Sequence, residues 1–179
     1  SRLDEKPPGR TRIDTRVMPL DRINNIIDAT RRAIAGGSRV YWVCPLIEES
    51  EVLDLAAAEE RYTHLVHIFK ERVGLVHGKM KAKQKDLVMK SFKEGTIDIL
   101  VSTTVIEVGV HVSEATVMII EHAERFGLSQ LHQLRGRVGR GETKSSCILL
   151  YGTLGKKAEA RLRIMRETDD GFIIAEEDL

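Results

Sequence analysis

Six short apolar runs, several of them rich in β-branched residues, recur along the chain, and stretches with helical periodicity separate most of them. The runs lie at residues 12–18, 40–44, 73–76, 97–101, 116–120 and 147–151. Runs of this length are typical of strands, and helices between strands connect parallel neighbours. A parallel sheet with helical crossovers is covered on both faces. The sequence therefore predicts an α/β fold, a parallel sheet with helices on both faces.

The two ends of the chain differ from this alternating middle. Residues 1–11 place two prolines and a glycine among charges, so we expect a linker from an upstream domain and a chain that begins inside a larger protein. A helix is predicted between the first two strands and is expected to end at Gly36 and Gly37. Residues 154–179 predict one or two helices after the sheet.

Global composition gives no reason to expect a nucleic-acid partner, because Lys+Arg 28 against Asp+Glu 27 leaves a net charge of +1. Cys44 and Cys147 each lie inside an apolar run, which predicts two buried free thiols in a reducing compartment. The chain has no signal pattern at its start and no apolar run of the ~18 to 20 residues that a membrane span requires. We therefore expect a soluble cytoplasmic protein.

The strongest local motif follows Ser129, its expected N-cap. On a helix Gln133, Gly136, Arg137 and Arg140 fall at positions i, i+3, i+4 and i+7 and share one face. A glycine inside a helix costs roughly 1 kcal/mol relative to alanine, so glycines beside arginines suggest close approach of a ligand. The planar donor fork of arginine suits a phosphoryl group. The alternative is a solvated basic helix, which this spacing disfavours.

Hydroxyl side chains follow the predicted strand at 97–101. Ser102, Thr103 and Thr104 are expected at its carboxyl end, where hydroxyls and helix N-H groups can hold a phosphate of a nucleic-acid backbone. Thr104 and Glu107 also form a capping box, which needs only to satisfy the helix terminus. The two interpretations are equally favoured and compatible.

Other polar residues carry weaker signals. His77 and Gly78 form a strand-to-helix turn that is able to face phosphate, although such a pair is more often a satisfied turn. The lysine series at 79–85 is also consistent with a solvated face. His64 and His67 have helical spacing for a metal, but a metal site is disfavoured because no cysteine lies nearby.

A complete nucleoside triphosphatase is excluded by what the chain lacks. It has neither a glycine-rich phosphate loop with its lysine nor an acidic residue for magnesium. Residues 139–145 suggest such a loop only superficially, because Val138 and Thr143 stand where glycines are required. No arrangement typical of a serine or cysteine nucleophile is present either.

Taken together, several stretches resemble the second RecA-like lobe of superfamily 2 helicases, and in particular the RecG family. They are residues 41–50, 73–80, 101–112 and 124–141, with 3–10 and 170–179 similar to the segments that flank this lobe. The resemblance implies a RecA-like parallel sheet followed by a short C-terminal helical segment. It divides the chain into a linker at 1–11, the lobe at 12–153 and the start of a translocation element at 154–179, which we expect to be incomplete here.

The resemblance also implies roles for residues. Arg137 and Arg140 would be arginine fingers that complete an ATP site of an upstream lobe. ATP-side residues would be Gln133, Gly136, Gly109 and His111, and DNA-side residues would be Ser102, Thr103, Thr104, His77 and Gly78. The implied cofactors are ATP and Mg²⁺, with Mg²⁺ held by the upstream lobe, and the implied partner is branched or forked duplex DNA. A monomer is expected.

One position departs from the family pattern. The family usually has aspartate at the position of His111, where it reaches the nucleotide ribose in relatives. This departure favours a rival hypothesis, a non-catalytic module that binds nucleic acid or a partner and retains the fold of the lobe. The paired arginines favour the motor, because a binding module does not need two phosphate-sensing groups on one face.

Overall fold

A computed structural model describes residues 13–45, 51–103, 115–138 and 144–167, without the side chain of Glu51. The described strands are β1 (Ile13–Pro19), β2 (Arg39–Cys44), β3 (Val73–Val76), β4 (Ile99–Thr103), β5 (Ala115–Ile120) and β6 (Ser145–Tyr151). The described helices are α1 (Ile23–Ala35), α2 (Glu51–Phe69), α3 (Ala82–Glu94), α4 (Leu128–Arg135) and α5 (Lys156–Glu167). Short 3-10 turns precede α1, follow α2 and precede α4.

The six strands form one sheet in the order β1-β6-β5-β2-β4-β3, and every pair is parallel. All strands therefore end at the same edge, which we call the carboxyl edge, and begin at the opposite, amino edge. The predicted α/β class and parallel sheet are confirmed. None of the helices in the described ranges is long and apolar enough to cross a membrane.

The side chains of the central strand β2 show how the core is divided. Tyr41 and Val43 belong to a core on one face, together with buried residues of α3, α4 and α5. Val40, Trp42 and Cys44 belong to the core on the other face, with buried residues of α1 and α2. Successive side chains of a strand point to opposite faces of the sheet. A strand that is apolar on both sides must therefore be covered by other elements on both faces. Helices on both faces are thus confirmed.

Strand β4 is shifted two residues from its predicted position. The prediction was 97–101, whereas the strand begins at Ile99 and ends at Thr103. The backbone N-H of Ile97 explains the later start, because it donates to the backbone oxygen of Ser91 near the end of α3 at 3.2 Å and not to a neighbouring strand. Ser102 and Thr103 consequently belong to the strand itself and pair with β2.

Candidate nucleotide and nucleic-acid site

The two hydroxyl residues at the carboxyl end of β4 are both buried. Ser102 is 1% exposed and its Oγ donates a hydrogen bond to the backbone oxygen of Thr103 at 2.8 Å. Thr103 is 4% exposed, and its Oγ1 has no hydrogen-bond partner. Because buried hydroxyls are normally paired, the unpaired hydroxyl of Thr103 marks it as the one of the two that lacks an acceptor or donor among the described residues.

The turn after β3 lies beside these hydroxyls. Val76 is in register with Ser102, so His77 and Gly78 follow at the same edge of the sheet. The Nδ1 atom of His77 accepts the backbone N-H of Lys79 at 3.2 Å. The histidine is therefore hydrogen-bonded within its own turn, as expected for a turn residue without a ligand. The register of β3 and β4 nevertheless places His77, Gly78 and Thr103 at the same edge of the sheet.

Helix α4 is shorter than the sequence predicted. It ends at Arg135, and the backbone N-H groups of Gly136 and Arg137 close the following turn on His132 and Leu134, both at 3.0 Å. Gly136 still has a right-handed helical backbone and bonds to His132 four residues earlier, whereas Arg137 bonds to Leu134 three residues earlier. The prediction of one continuous helical face was therefore wrong for Arg137. Glycine is a poor helix former and commonly follows the last helical turn, which explains the end at this point.

The start of α4 also differs from the prediction. Its N-cap is Gly127, in extended conformation, and not Ser129. The side-chain Oε1 of Gln130 accepts the backbone N-H of Gly127 at 2.9 Å. A reach-back of the N3 side chain to the N-cap amide stabilises the first turn, so the cap depends on Gln130.

Arg135 is a residue whose role the sequence analysis missed. It is 2% exposed, and its Nη1 donates to Thr15 Oγ1 at 3.0 Å and to the backbone oxygen of Met165 at 2.7 Å. One guanidinium thus ties the end of α4 to β1 and α5. The available signal was helical spacing, because Leu128, Leu131 and Arg135 at i, i+3 and i+7 place the arginine on the apolar face.

The arginine segment lies toward the amino edge. Helix α4 connects the carboxyl end of β5 to the amino end of β6, so its last turn approaches the start of β6. Thr15, which Arg135 contacts, is the third residue of β1. Arg137 is 9% exposed and follows this contact directly, whereas Gln133 is exposed. The hydroxyl cluster and Arg137 are therefore at opposite edges of the sheet.

Four of the predicted site residues lie outside the described residues. They are Thr104, Gly109, His111 and Arg140. Within the described ranges, no group of three or more His, Cys, Asp or Glu side chains is arranged to hold a metal ion. His64 instead contacts a guanidinium, with its Nδ1 2.9 Å from Nη1 of Arg61.

Glu121 is a second residue that the sequence analysis did not assign. It follows β5 and is 7% exposed. Its Oε2 accepts Trp42 Nε1 and Arg61 Nε, both at 2.6 Å, and its Oε1 accepts Arg61 Nη2 at 3.0 Å. Burial alone would lower the pKa of Arg61, but the hydrogen bonds and charge of Glu121 raise it overall. The Arg61 guanidinium also lies 5.8 Å from the ring centroid of Trp42.

The two cysteines are free and buried, which confirms that part of the prediction. Burial and the neighbouring charge of Glu121 raise the pKa of the Cys44 thiol well above its ordinary value, although Arg61 opposes this. Burial raises the pKa of Cys147 to about 12. Thiols are reactive only as accessible thiolates, so both are inert in the folded chain at neutral pH.

We expect iodoacetamide at about pH 8 to modify neither thiol in the folded chain and both in urea, because only unfolding exposes them and restores an ordinary pKa. Mass spectrometry of the two samples measures this. The folded pKa of Cys147 is raised above its ordinary value of 9.0. The free energy of unfolding therefore contains the full contribution of the neutral Cys147 thiol below about pH 9. This contribution is lost as the pH rises toward 12, because the unfolded chain ionises first. Rapid modification of Cys147 in the folded chain would contradict the burial.

Comparison with known proteins gives a consistent result. The model of the helicase conserved C-terminal domain matches residues 21–142. The chain is 56% identical to the ATP-dependent DNA helicase RecG of Acidithiobacillus ferridurans, over 99% of this chain and 26% of that protein. It is 50% identical to RecG of Thermotoga maritima, over 99% of this chain and 23% of that protein. The chain thus spans about a quarter of the length of these relatives.

Solved structures agree with these sequence relatives. A structure of RecG bound to a three-way DNA junction matches with a TM-score of 0.81 and 47% identity, over 98% of this chain and 23% of that one. The Saccharomyces cerevisiae protein Dbp5, bound to RNA and ADP BeF3, matches with a TM-score of 0.65 and 15% identity, over 93% of this chain and 46% of that one. The second match shows the fold alone, which is the predicted RecA-like lobe.

Proposed function

The chain belongs to the helicase conserved C-terminal domain family, and we propose that it is the second motor lobe of a RecG-type ATP-dependent DNA helicase. The observation that carries the proposal is the 50 to 56% identity to RecG proteins over nearly every residue of the chain. Joined to an upstream lobe, it would use ATP hydrolysis to move along duplex DNA and remodel branched or forked DNA.

The separation of the two edges of the sheet supports a division of labour within the lobe. Arg137, which lies toward the amino edge, and Arg140 act as arginine fingers on the γ-phosphate of ATP held by the upstream lobe. Gln133, which is exposed beside this segment, and Gly136 complete the nucleotide side, together with Gly109 and His111. Guanidinium groups fit this role because they keep their charge and match the negative charge of the transferring phosphoryl group.

Mg²⁺ is the second cofactor of the proposed reaction, and the upstream lobe would hold it. In the described ranges no cluster of carboxylates is arranged for Mg²⁺, so the carboxylates that hold it would belong to the upstream lobe. When bound, Mg²⁺ neutralises charge on the phosphates. This lobe would supply the positive charge of Arg137 and Arg140 from the opposite side of the nucleotide.

At the carboxyl edge, the hydroxyl cluster faces the DNA backbone. The unpaired Oγ1 of Thr103 is the strongest candidate for a phosphate contact, followed by Ser102 and Thr104. His77 and Gly78 lie at the same edge and would contact the backbone beside them. Contacts of this kind position DNA without reading its sequence, and they suit a motor that must pass any sequence.

The chain would be divided into a linker, a motor lobe and the start of a further element. Residues 1–11 link the lobe to the upstream lobe, 12–153 form the lobe, and 154–179 begin the translocation element. Arg135 supports this last assignment, because it joins the arginine segment to the backbone of α5. The protein would act as a monomer in the cytoplasm.

The test compares ATP hydrolysis by the two-lobed protein and by the 179-residue chain, each with and without forked DNA. We expect DNA to stimulate hydrolysis by the two-lobed protein, whereas the single lobe should show none, because it lacks a phosphate loop. A phosphate-loop variant of the upstream lobe, prepared identically, controls for contaminating ATPases.

Two results would contradict the proposal. DNA-stimulated hydrolysis by the single lobe would mean that its site is complete. A two-lobed protein that binds forked DNA without hydrolysing ATP would instead favour the non-catalytic binding module, for which His111 is the motivating residue.

A further inference from the structure

A change in the direction of the chain crossovers occurs at the centre of the sheet. From β2 the chain continues through α2, which packs on the face of Trp42, whereas from neighbouring β5 it continues through α4 on the opposite face. The two connections therefore diverge at the carboxyl edge and leave a crevice between them. Ligands of open parallel sheets bind in crevices of this kind.

The crevice is present as a cleft of about 470 Å³. One wall consists of the ends of β2 and β5, and the other is a face of α2 that includes Asp54 and Arg61. A volume of this size is within the range of small-ligand and side-chain pockets. The cleft is distinct from the hydroxyl cluster, since Ser102, Thr103, His77 and Gly78 are not among the residues that line it.

Asp54 is the residue in the cleft whose bonding is incomplete. It is 2% exposed, and its Oδ1 has no hydrogen-bond partner. The neighbouring Arg61 does not supply one, since its Nε and Nη2 donate to Glu121 and its Nη1 lies 2.9 Å from His64 Nδ1. A buried carboxyl oxygen without a donor is unfavourable, and such an atom in a cleft indicates a ligand that brings the donor.

The charges of the lining define the class of that ligand. Three carboxyl groups (Asp54, Glu60 and Glu121) and two guanidinium groups (Arg61 and Arg125) line the cleft. Glu121 and Arg61 neutralise each other through two hydrogen bonds. This leaves two acidic groups, one exposed arginine and two histidines, His64 and His122, which contact Arg61 and Glu124. An anion would be repelled by Asp54, whereas a cation with N-H donors would satisfy it.

We propose that this cleft binds a guanidinium or ammonium group, the basic group of an arginine or lysine side chain, with Asp54 as its acceptor. The guanidinium or ammonium group enters beside α2 and donates to Asp54 Oδ1. Glu60, at the exposed side of the same helix face, adds attraction at the entrance. The site requires neither ATP nor DNA, so it stands or falls independently of the proposed motor function.

Binding is measured by titrating the ¹⁵N-labelled 179-residue chain with acetyl-Gly-Arg-Gly-amide and following amide chemical shifts. We expect saturable shifts at the backbone amides of Asp54 and Glu121. The same peptide with citrulline, which is neutral and similar in shape, should bind at least about 10-fold more weakly, as should Asp54→Asn, because a charged hydrogen bond is lost. Asp86→Asn, a change of an exposed acid on α3, is the matched control and should bind normally.

A second measurement separates a binding role from a structural one. If Asp54 lacks a partner in the free chain, Asp54→Asn should raise the melting temperature by about 2 to 4 °C, whereas loss of a structural carboxylate would lower it. A lower melting temperature would overturn the proposal. So would the absence of peptide shifts, equal binding of the citrulline peptide or of Asp54→Asn, or shifts of the same amides by inorganic phosphate instead.

Discussion

Replacing Arg140 with alanine in the two-lobed protein is expected to lower DNA-stimulated ATP hydrolysis about 10³-fold or more. An arginine finger stabilises charge that develops on the phosphoryl group only in the transition state, so its loss affects turnover more than nucleotide binding. Arg140 lies outside the described residues, and the expectation rests on the arginine-finger role that the resemblance to superfamily 2 helicases implies for it. Steady-state hydrolysis at saturating forked DNA measures the effect.

The control for this experiment is another arginine of the same lobe. Arg31 is exposed on α1, where it makes a weak ion pair with Asp28 and lies 6.0 Å from the ring centroid of Phe69, and Arg31→Ala should leave hydrolysis unchanged. Both variants must fold and bind DNA like the parent. An unchanged rate for Arg140→Ala under these conditions would mean that Arg140 is structural or faces DNA, and Arg137 would then be the remaining candidate for the finger.

Removing the carboxylate of Glu121 should cause the largest loss of stability. Glu121→Ala leaves the buried Trp42 N-H and the Arg61 guanidinium without their acceptor. Breaking a buried ion pair by removing one partner costs about 3 to 5 kcal/mol, because the other charge remains buried. For a chain of this size the melting temperature should fall by about 10 °C. Urea denaturation of the 179-residue chain measures the free energy of unfolding directly.

An exposed ion pair provides the comparison. Asp14 and Arg16 are 57% and 70% exposed and 3.1 Å apart, and Asp14→Ala should cost no more than about 1 kcal/mol. Glu121→Gln, which keeps an acceptor oxygen but removes the charge, should lie between the two. If Glu121→Ala is no more destabilising than Asp14→Ala, the network around Trp42 does not stabilise the fold.

The alternation of short apolar runs with helical stretches was sufficient to predict the class of fold, because the central strands are apolar on both faces. Strand β2 is the clearest case, since its residues from Val40 to Cys44 all reach into one core or the other. The strand order was not predictable. It depends on pairings between segments far apart in sequence, such as Ile13 with Ser145, which no local pattern encodes.

The site was predictable in part. The sequence pattern identified the hydroxyls at the carboxyl end of β4 and the turn at His77, and the register of β3 and β4 places them together. The sequence pattern failed at the end of α4. The arginines keep a helical spacing in the sequence beyond Gly136, but the helix ends at Arg135. The pattern also missed Arg135 and Glu121, because their partners Thr15 and Trp42 lie 120 and 79 residues away.

The position of β1 at the edge of the sheet affects the order in which this chain can fold. β6 is its sole hydrogen-bonded neighbour among the described strands, and the two are paired along all seven residues. β1 therefore cannot join the sheet until β6, which lies far along the chain from it, has been synthesised. Closing so long a loop is slow and entropically costly. Until β6 is in place, β1 cannot hydrogen-bond to the sheet, and the edge of β5 is exposed to pairing with other chains.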